Sequence, residues 1–180
     1  GDGNHSLAAA KAHWMNLKKA GAAMTHPARY ALVELGALAD KSLEFEPIYR
    51  VIKNCDKNDF ISSLKKITGD GNQSFKMITS DSEEFLSFSN PTHALTVGSL
   101  QDFIDLYAVS HPEIICDYIH GENVVCELVS DKNTVGFLFD SIEKADLFPY
   151  VEKHGSLPRK TFSMGEARSK RYYIESRIIV

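Results

Sequence analysis

The stretch FEPIYRVIK, Phe45 to Lys53, decides the fold class of this chain. The elements after it are predicted in the same way, from residue types and the spacing of apolar residues. Its aromatic and β-branched residues predict a β-strand, and Pro47 is tolerated because it lies near the start of that strand. The polar run of residues 56–59 predicts the start of a helix. The apolar side chains of that helix fall on one side: Phe60, Ile61, Leu64 and Ile67.

The next four elements complete a recognisable order. Two short strands, Ser74 to Thr79 and Glu84 to Phe88, are predicted to form a hairpin. A helix from Ser99 to Ser110 and a strand from Glu113 to Ile119 follow. The order strand, helix, strand, strand, helix, strand is the βαββαβ order of ferredoxin-like units. We therefore expect an α+β protein with a mainly antiparallel sheet and packed helices.

Further elements are predicted on the C-terminal side. Gly121 to Ser130 has the pattern of a short helix, Thr134 to Phe139 that of a buried strand, and Ile142 to Lys153 that of a helix. The alternating stretch from Arg171 to Val180 predicts a last strand.

The N-terminal region is predicted to contain a helix and a strand. His5 to Gly21 has apolar residues near one face and a glycine at its end. The run RYALVELG, residues 29–36, has the composition of a buried strand. Glu34 within it is either paired with a cation, for which Arg29 and Arg50 are candidates, or exposed on an edge, because burying it unpaired is costly.

The helix at the N-terminus is preceded by a polar, glycine-bearing turn. Gly1 and Gly3 permit a close backbone approach to a ligand, and the first N–H groups of a helix attract anions. An acid, an amide, an imidazole and a hydroxyl occupy the rest of this segment: Asp2, Asn4, His5 and Ser6. The sequence favours two interpretations, an anion site or an ordinary N-cap before a helix. Since no strand leads into the turn, we expect the chain to be the C-terminal part of a longer protein.

A second candidate anion site lies near the C-terminus, in residues 157–167. Cations and hydroxyls that can contact phosphate stand close together there: Arg159, Lys160, Thr161 and Ser163. Residues 156–180 carry six Lys and Arg against two Glu, a charge of +4. Since the net charge of the whole chain is −4, the other residues carry a charge of −8. The order is neither that of a P-loop nor G-x-G-x-x-G. An exposed basic loop is the alternative, and a shared site would bring this loop close to Asn4, His5 and Ser6.

Composition limits the remaining classes. Three scattered cysteines without C-x-x-C spacing argue against a disulfide framework and a structural zinc, and favour a reducing, cytoplasmic setting. The seven histidines lack H-E-x-x-H spacing, so we expect no metal site made by protein ligands alone. The acidic net charge argues against general nucleic-acid binding, and no apolar run approaches the ~18 residues of a membrane span.

Several segments in order resemble a bacterial family, domain-of-unknown-function family 1015. They are residues 1–11, 26–30, 45–50, 118–121 and 157–167, with Lys170-Arg171-Tyr172-Tyr173. The resemblance covers essentially the whole chain and implies that it is the C-terminal half of the family's full length. The family has no well-established activity.

The turn before the first helix also resembles, more distantly, the phosphate-binding turn of the ParB and sulfiredoxin superfamily. This resemblance implies phosphate contacts by Gly3, Asn4, His5 and Ser6, with residues 1–40 as the remnant of a truncated nucleotide-binding unit and 41–180 as an α+β body. It implies a nucleotide or phosphorylated small molecule as ligand, a nucleoside triphosphate with Mg²⁺ as cofactor, and Asp2 or His5 as acid–base or metal-contact group. The implied activity is a phosphotransferase or nucleotide hydrolase. A non-catalytic anion sensor or protein-interaction module is the alternative, and the sequence does not decide whether the protein is an enzyme.

Overall fold

The structure of the protein is a computed structural model that describes residues 4–33 and 36–165, with only the backbone of Asn4 and His5. Within these residues the chain divides into two compact units, and the boundary falls between Ser42 and Leu43.

The first unit contains the predicted N-terminal helix. Helix α1 spans Asn4–Lys19, and Gly21 follows it with φ +91°, a left-handed conformation that ends a helix at little cost for glycine. A 3₁₀ helix, Pro27–Arg29, is capped by His26, whose Nδ1 accepts a hydrogen bond from the Ala28 N–H at 3.1 Å. The ring of Trp14 stacks on that imidazole, with 6.4 Å between the ring centroids, so that the 3₁₀ helix packs against α1.

The prediction of a buried strand over residues 29–36 is wrong. Arg29 ends the 3₁₀ helix, and residues 30–33 have no regular structure and are exposed; Leu32 is 99% exposed. Residues 4–33 and 36–42 include no strand, and an apolar composition alone does not make one. Glu34 lies outside the described residues. The guanidinium of Arg29 donates to the Met24 carbonyl at 3.0 Å and lies over the ring of Tyr30.

The second unit is an α+β body with a mainly antiparallel sheet, as the sequence predicts. Its strands in the described residues are β1 Phe45–Lys53, β2 Ser74–Ile78, β3 Glu83–Ser87, β4 Ile115–His120, β5 Val135–Leu138 and β6 Phe162–Met164. Its helices in the same residues are α2 Lys57–Lys65, α3 Thr96–Ser110, α4 Glu122–Leu128 and α5 Lys144–His154. The β2–β3 hairpin is confirmed, and Asp56 caps α2 by accepting from the N–H groups of Asn58 and Asp59.

The strand order of the sheet is β3-β2-β5-β1-β4, with β6 paired to the beginning of β1. Strands β1 and β2 both run antiparallel to β5, so they are parallel to each other and form a split βαβ unit through α2. The ferredoxin-like arrangement is not confirmed, because the strand inside this split is β5 and not β3. Burial explains why β5 and not β3 lies between β1 and β2. All four residues of β5 are buried, whereas β3 is partly exposed and lies at the edge of the sheet.

Helices cover both faces of the sheet. One face packs against α2 and α3 and contains the main core, whose large buried members are Ile52, Phe60, Phe75, Leu100, Ile104 and Phe137. The opposite face packs against α4 through a smaller cluster: Val51, Ile78, Val125, Val129 and Leu138. Because Val51 and Ile52 are adjacent on β1, their side chains point to opposite faces, as the period of a strand requires.

Two further observations complete the fold. The strand predicted over Arg171–Val180 lies outside the described residues, whereas β6 formed within the segment that the sequence suggested to be a basic loop. Among the helices that the structure describes, none has the length and apolar character needed to cross a lipid bilayer.

Gly136 of β5 gives a test of the packing between the sheet and α4. A Cβ atom at this position would lie 2.6 Å from Val125 Cγ1 and 2.8 Å from Val129 Cγ1, and the β-branched valines have little freedom to move away. We expect Gly136→Ala to lower the free energy of unfolding by about 1–3 kcal/mol through overpacking, measured by urea denaturation. Gly36→Ala is the matched control, because a Cβ there meets nothing within 4 Å. Equal stability of the two variants would contradict the packing described for α4.

Candidate functional site

The N-terminal candidate residues are only partly described. Asp2 and Gly3 lie outside the described residues, and α1 begins at Asn4, which places His5 in its first turn. Ser6 is exposed on the same turn, and the first turn carries no acidic residue. The first N–H groups of a helix lack intrahelical partners, so the backbone here has the elements of an anion site. The predicted meeting of this turn with residues 159–163 stays a prediction.

The C-terminal candidate residues are largely engaged within the second unit. Arg159 Nη2 donates to both carboxylate oxygens of Asp105, at 2.8 and 3.2 Å. The hydroxyl of Thr161 is buried and donates to the Pro158 carbonyl at 2.7 Å. Ser163 is buried in β6 opposite Glu46 of β1. Lys160 has a left-handed backbone, φ +53°, and its ammonium has no partner among the residues that the structure describes.

The residue that organises this region is Arg50 of β1, which is fully buried. Its guanidinium donates four hydrogen bonds, one to Gln101 Oε1 at 2.8 Å and three to the carbonyls of Ile48, Lys160 and Arg159, at 2.5, 3.0 and 3.0 Å. A guanidinium has five N–H donors, so these bonds use nearly all of them. The arrangement fixes the backbone of residues 159–160 onto the beginning of β1.

A closed polar network joins this arginine to the surface. Gln101 accepts from Arg50 and donates through Nε2 to Asp105 Oδ1 at 2.8 Å, and the same oxygen accepts from Arg159. Tyr118 of β4 lies beside both cations: its ring centroid is 4.6 Å from the guanidinium carbon of Arg50 and 5.8 Å from that of Arg159. These distances place both guanidinium groups within cation–π range of one aromatic ring.

Burial controls the ionisation of this cluster. Desolvation lowers the pKa of Arg50 to about 10, far enough above neutral pH that its hydrogen bonds come from the charged form. Burial also raises the pKa of the neighbouring Cys116 thiol and of Tyr118, although both arginines oppose these two shifts. The thiol is therefore protonated at neutral pH and is a poor nucleophile.

This geometry assigns different tasks to the residues. Arg50 is a structural cation that fixes the loop of residues 158–161, and Arg159 is an exposed cation already paired with Asp105. Thr161 also lines a cavity of about 270 Å³, together with Thr96 and Asp140. The negative charge of the Asp140 carboxylate disfavours an anion in this cavity. Among the described residues, no group of three His, Cys, Asp or Glu side chains is placed to hold a metal ion.

The sequence predicts the loop of residues 157–167 as a candidate site, but it does not predict the hydrogen-bond network of Arg50, Gln101 and Asp105. Arg50 was expected only as a partner for Glu34, whereas its described partners are Gln101, Tyr118 and three carbonyls. A signal was present, because an arginine within the apolar run of residues 48–52 needs buried acceptors. Neither Gln101 nor Asp105 has a pattern that indicates this role.

Comparison with protein families identifies the class. Residues 1–113 match the family model described as "Protein of unknown function (DUF1015)", and this is more than half of the chain, so the protein belongs to the DUF1015 family. The matched residues include the segments 1–11, 26–30 and 45–50 that carried the resemblance, and they end before Tyr118 and the loop of residues 157–167.

Comparison with solved structures supports the fold alone. A conserved hypothetical protein from Pyrococcus furiosus is similar, with a TM-score of 0.57 at 15% sequence identity. The similarity covers 74% of this chain and 61% of that protein, so this chain spans less than two thirds of its length. Comparison with curated proteins gives no match.

Removal of Arg50 tests the role of the buried network. We expect Arg50→Met to lower the free energy of unfolding by about 3 kcal/mol or more, because it leaves the buried Gln101 side chain and the carbonyls of Ile48, Arg159 and Lys160 without their donor. The measurement is urea denaturation followed by circular dichroism.

Arg159→Gln is the matched control for this variant. The ion pair of Arg159 with Asp105 is exposed, with side chains 57% and 56% accessible, so its loss should cost less than about 1 kcal/mol. A stability loss for Arg50→Met no larger than that of the control would show that the network does not hold the loop.

Proposed function

We propose that this protein binds the phosphate of a nucleotide or another phosphorylated small molecule at the amino end of α1. One observation supports the proposal most: α1 begins at Asn4, directly after the glycine-bearing sequence Gly1-Asp2-Gly3, and its first turn carries no acidic residue. The positive end of the helix dipole is thus not neutralised from within its own first turn, and first-turn N–H groups, which lack intrahelical partners, are suited to an anion.

The distant resemblance to the ParB and sulfiredoxin superfamily supports the same ligand class. In this proposal Gly3, Asn4, His5 and Ser6 contact phosphate, and Asp2 or His5 supplies acid–base catalysis or a contact to Mg²⁺. The reaction would be phosphoryl transfer or nucleotide hydrolysis, which depends mainly on positioning and on cations that neutralise the developing charge. Mg²⁺ would then accompany a nucleoside triphosphate as the cofactor.

Lys160 is the residue that we propose for phosphate contact in the C-terminal loop. Arg159 is paired with Asp105, and the hydroxyl of Thr161 is bonded within the loop, so both have partners that a phosphate would have to displace. The ammonium of Lys160 is exposed and needs no such exchange. The hydrogen bond from Arg50 to the Lys160 carbonyl fixes the backbone that carries it.

A second candidate function is a non-catalytic module that senses an anion or binds another protein. The exposed apolar side chains of the first unit favour it, because Leu32 is 99% exposed and Tyr30 and Val33 are each 62% exposed. Adjacent exposed apolar side chains are typical of interaction surfaces. The two functions differ in turnover, since only the first consumes the nucleotide.

Calorimetric titration with ATP and Mg²⁺ tests the proposal on the 180-residue chain. We expect binding that weakens as salt is raised, because exposed charges are screened. Ser6→Asp should lower the affinity about tenfold, since a carboxylate takes the place of the anion at the helix end. The same substitution does not weaken α1 itself, because an acidic residue in the first turn stabilises a helix.

Ser62→Asp is the matched control, since Ser62 is exposed on α2 of the other unit. Unchanged affinity of Ser6→Asp, or no heat of binding with ATP, ADP or inorganic phosphate at millimolar concentration, would refute phosphate binding at α1. Binding accompanied by release of inorganic phosphate would favour the enzyme, and binding without release would favour the sensor.

A further inference from the structure

The small polar cavity at the beginning of α3 is a second candidate ligand site, which the phosphate proposal does not use. We call it the α3 cavity, and its volume is about 270 Å³. It lies where several segments of the second unit meet: residues 72–73, 94–97 and 140–142, with Thr161. Sites for drug-sized ligands usually measure about 300–1,000 Å³, so the occupant of this cavity is smaller than such a ligand.

The beginning of α3 brings unpaired backbone donors to the cavity lining. Leu95, the N-cap residue, makes no side-chain cap hydrogen bond, and the first turn of α3 carries no acidic residue. The backbone N–H groups of Thr96 and Val97, which both line the cavity, donate to no described residue. Unpaired N–H groups at the positive end of a helix dipole attract a carboxylate.

A buried hydroxyl in the same lining also lacks a partner. The Oγ atom of Ser141 is buried and forms no hydrogen bond with any residue that the structure describes. A buried polar group is costly when it is left unbonded, and nearly all such groups in native proteins have a partner. Ser141 is therefore evidence, independent of the helix, for a polar occupant of the cavity.

Asp140 gives the cavity a negative side. It is the only residue with a formal charge in the lining. Its carboxylate is exposed and has no hydrogen bond or ion pair within residues 4–33 and 36–165. A carboxylate without a counter-ion repels a simple anion and attracts an ammonium group.

We propose that the α3 cavity binds a small zwitterion, such as a free amino acid, with its ammonium group on Asp140 and its carboxylate on the N–H groups of Thr96 and Val97. A simple anion would meet the unpaired carboxylate of Asp140, and a simple amine would leave the two N–H groups without an acceptor. A ligand that carries both charges satisfies both sides of the cavity.

The rest of the lining favours a short side chain on this ligand. Val97 and Ile142 are buried apolar residues of the lining, so they offer a small aliphatic group a place out of water. The inference does not depend on phosphate binding at α1, since every residue that carries it lies within the second unit.

L-alanine is the probe, with ethylamine as the same molecule without its carboxylate and propionate as the same molecule without its ammonium group. Heteronuclear NMR on the isotope-labelled 180-residue chain should show shifts of the amides of residues 94–97 and 140–142 on titration with L-alanine. We expect ethylamine to bind about tenfold more weakly, because it lacks the charge-assisted hydrogen bonds to α3. Propionate should bind more weakly still, because Asp140 repels it.

One pair of variants tests the ammonium contact. Asp140→Asn should lower the affinity for L-alanine about tenfold and raise the affinity for propionate, since both effects follow from loss of the negative charge. Glu143→Gln is the matched control, because it removes a negative charge three residues further along the same loop and outside the lining. The control should leave both affinities unchanged.

A second pair of variants tests the carboxylate contact. Thr96 is the first residue of α3, where proline is tolerated, and Leu95 has the extended backbone that fits before a proline, φ −118° and ψ 143°. Thr96→Pro should remove one N–H donor without breaking α3, lower the affinity for L-alanine about tenfold and leave that for ethylamine unchanged. Thr96→Ala removes the same hydroxyl but keeps the N–H group, so it should keep the preference for L-alanine over ethylamine.

The proposal fails if ethylamine or propionate binds as tightly as L-alanine, since one charge would then suffice, or if no shift occurs at millimolar L-alanine. It also fails if Thr96→Pro and Thr96→Ala lower the affinity for L-alanine equally, or if Asp140→Asn has no more effect than Glu143→Gln. Thermal denaturation of each variant confirms that it is folded. A failure here leaves ATP binding at α1 untouched, so the two proposals are tested separately.

Discussion

The buried guanidinium of Arg50 is the constraint on which the second unit depends. A buried charge is costly unless its hydrogen bonds are made, and no carboxylate contacts this one directly among the described residues. Three backbone carbonyls, one side-chain amide and the face of Tyr118 take the place of a counter-ion. Each of these partners must be held in position, so the arginine requires β1, β4, α3 and the loop of residues 158–161 to pack together.

This requirement explains features of the loop that otherwise look unrelated. Lys160 has a left-handed backbone, which is unusual for a residue with a side chain, and its carbonyl is one of the acceptors of Arg50. The chain then continues into β6, which pairs with the first residues of β1. Arg159 also lies over the ring of Tyr118 and is paired with Asp105, so the repulsion between two neighbouring cations is relieved at the surface.

The local elements of this unit could be predicted from the sequence because local chemistry determines them. The predicted strand over Phe45–Lys53 has the same bounds as β1, and the polar run at residues 56–59 correctly indicated the cap of α2. The order of strands in the sheet could not be predicted, because it depends on which distant strand fills the gap between β1 and β2. The apolar run at residues 29–36 misled the prediction, because an apolar composition alone does not determine whether a segment forms a strand.

The candidate sites likewise divide into those that a local sequence signal indicates and those that depend on residues far apart in the chain. The turn before α1 and the basic loop could be found from residue types at close spacing, which is a local signal. The network around Arg50 could not, because its hydrogen bond to the Lys160 carbonyl joins residues 110 positions apart.

Native-state hydrogen exchange of the β6 amides, Phe162–Met164, in Arg50→Lys and in the unchanged protein tests the central claim most directly. Lysine keeps the charge but cannot donate to all four acceptors, so the account predicts that exchange accelerates much more in β6 than in β5. Equal protection of β6 in the two proteins would show that the loop and its strand hold their places without the buried arginine, and would contradict the account.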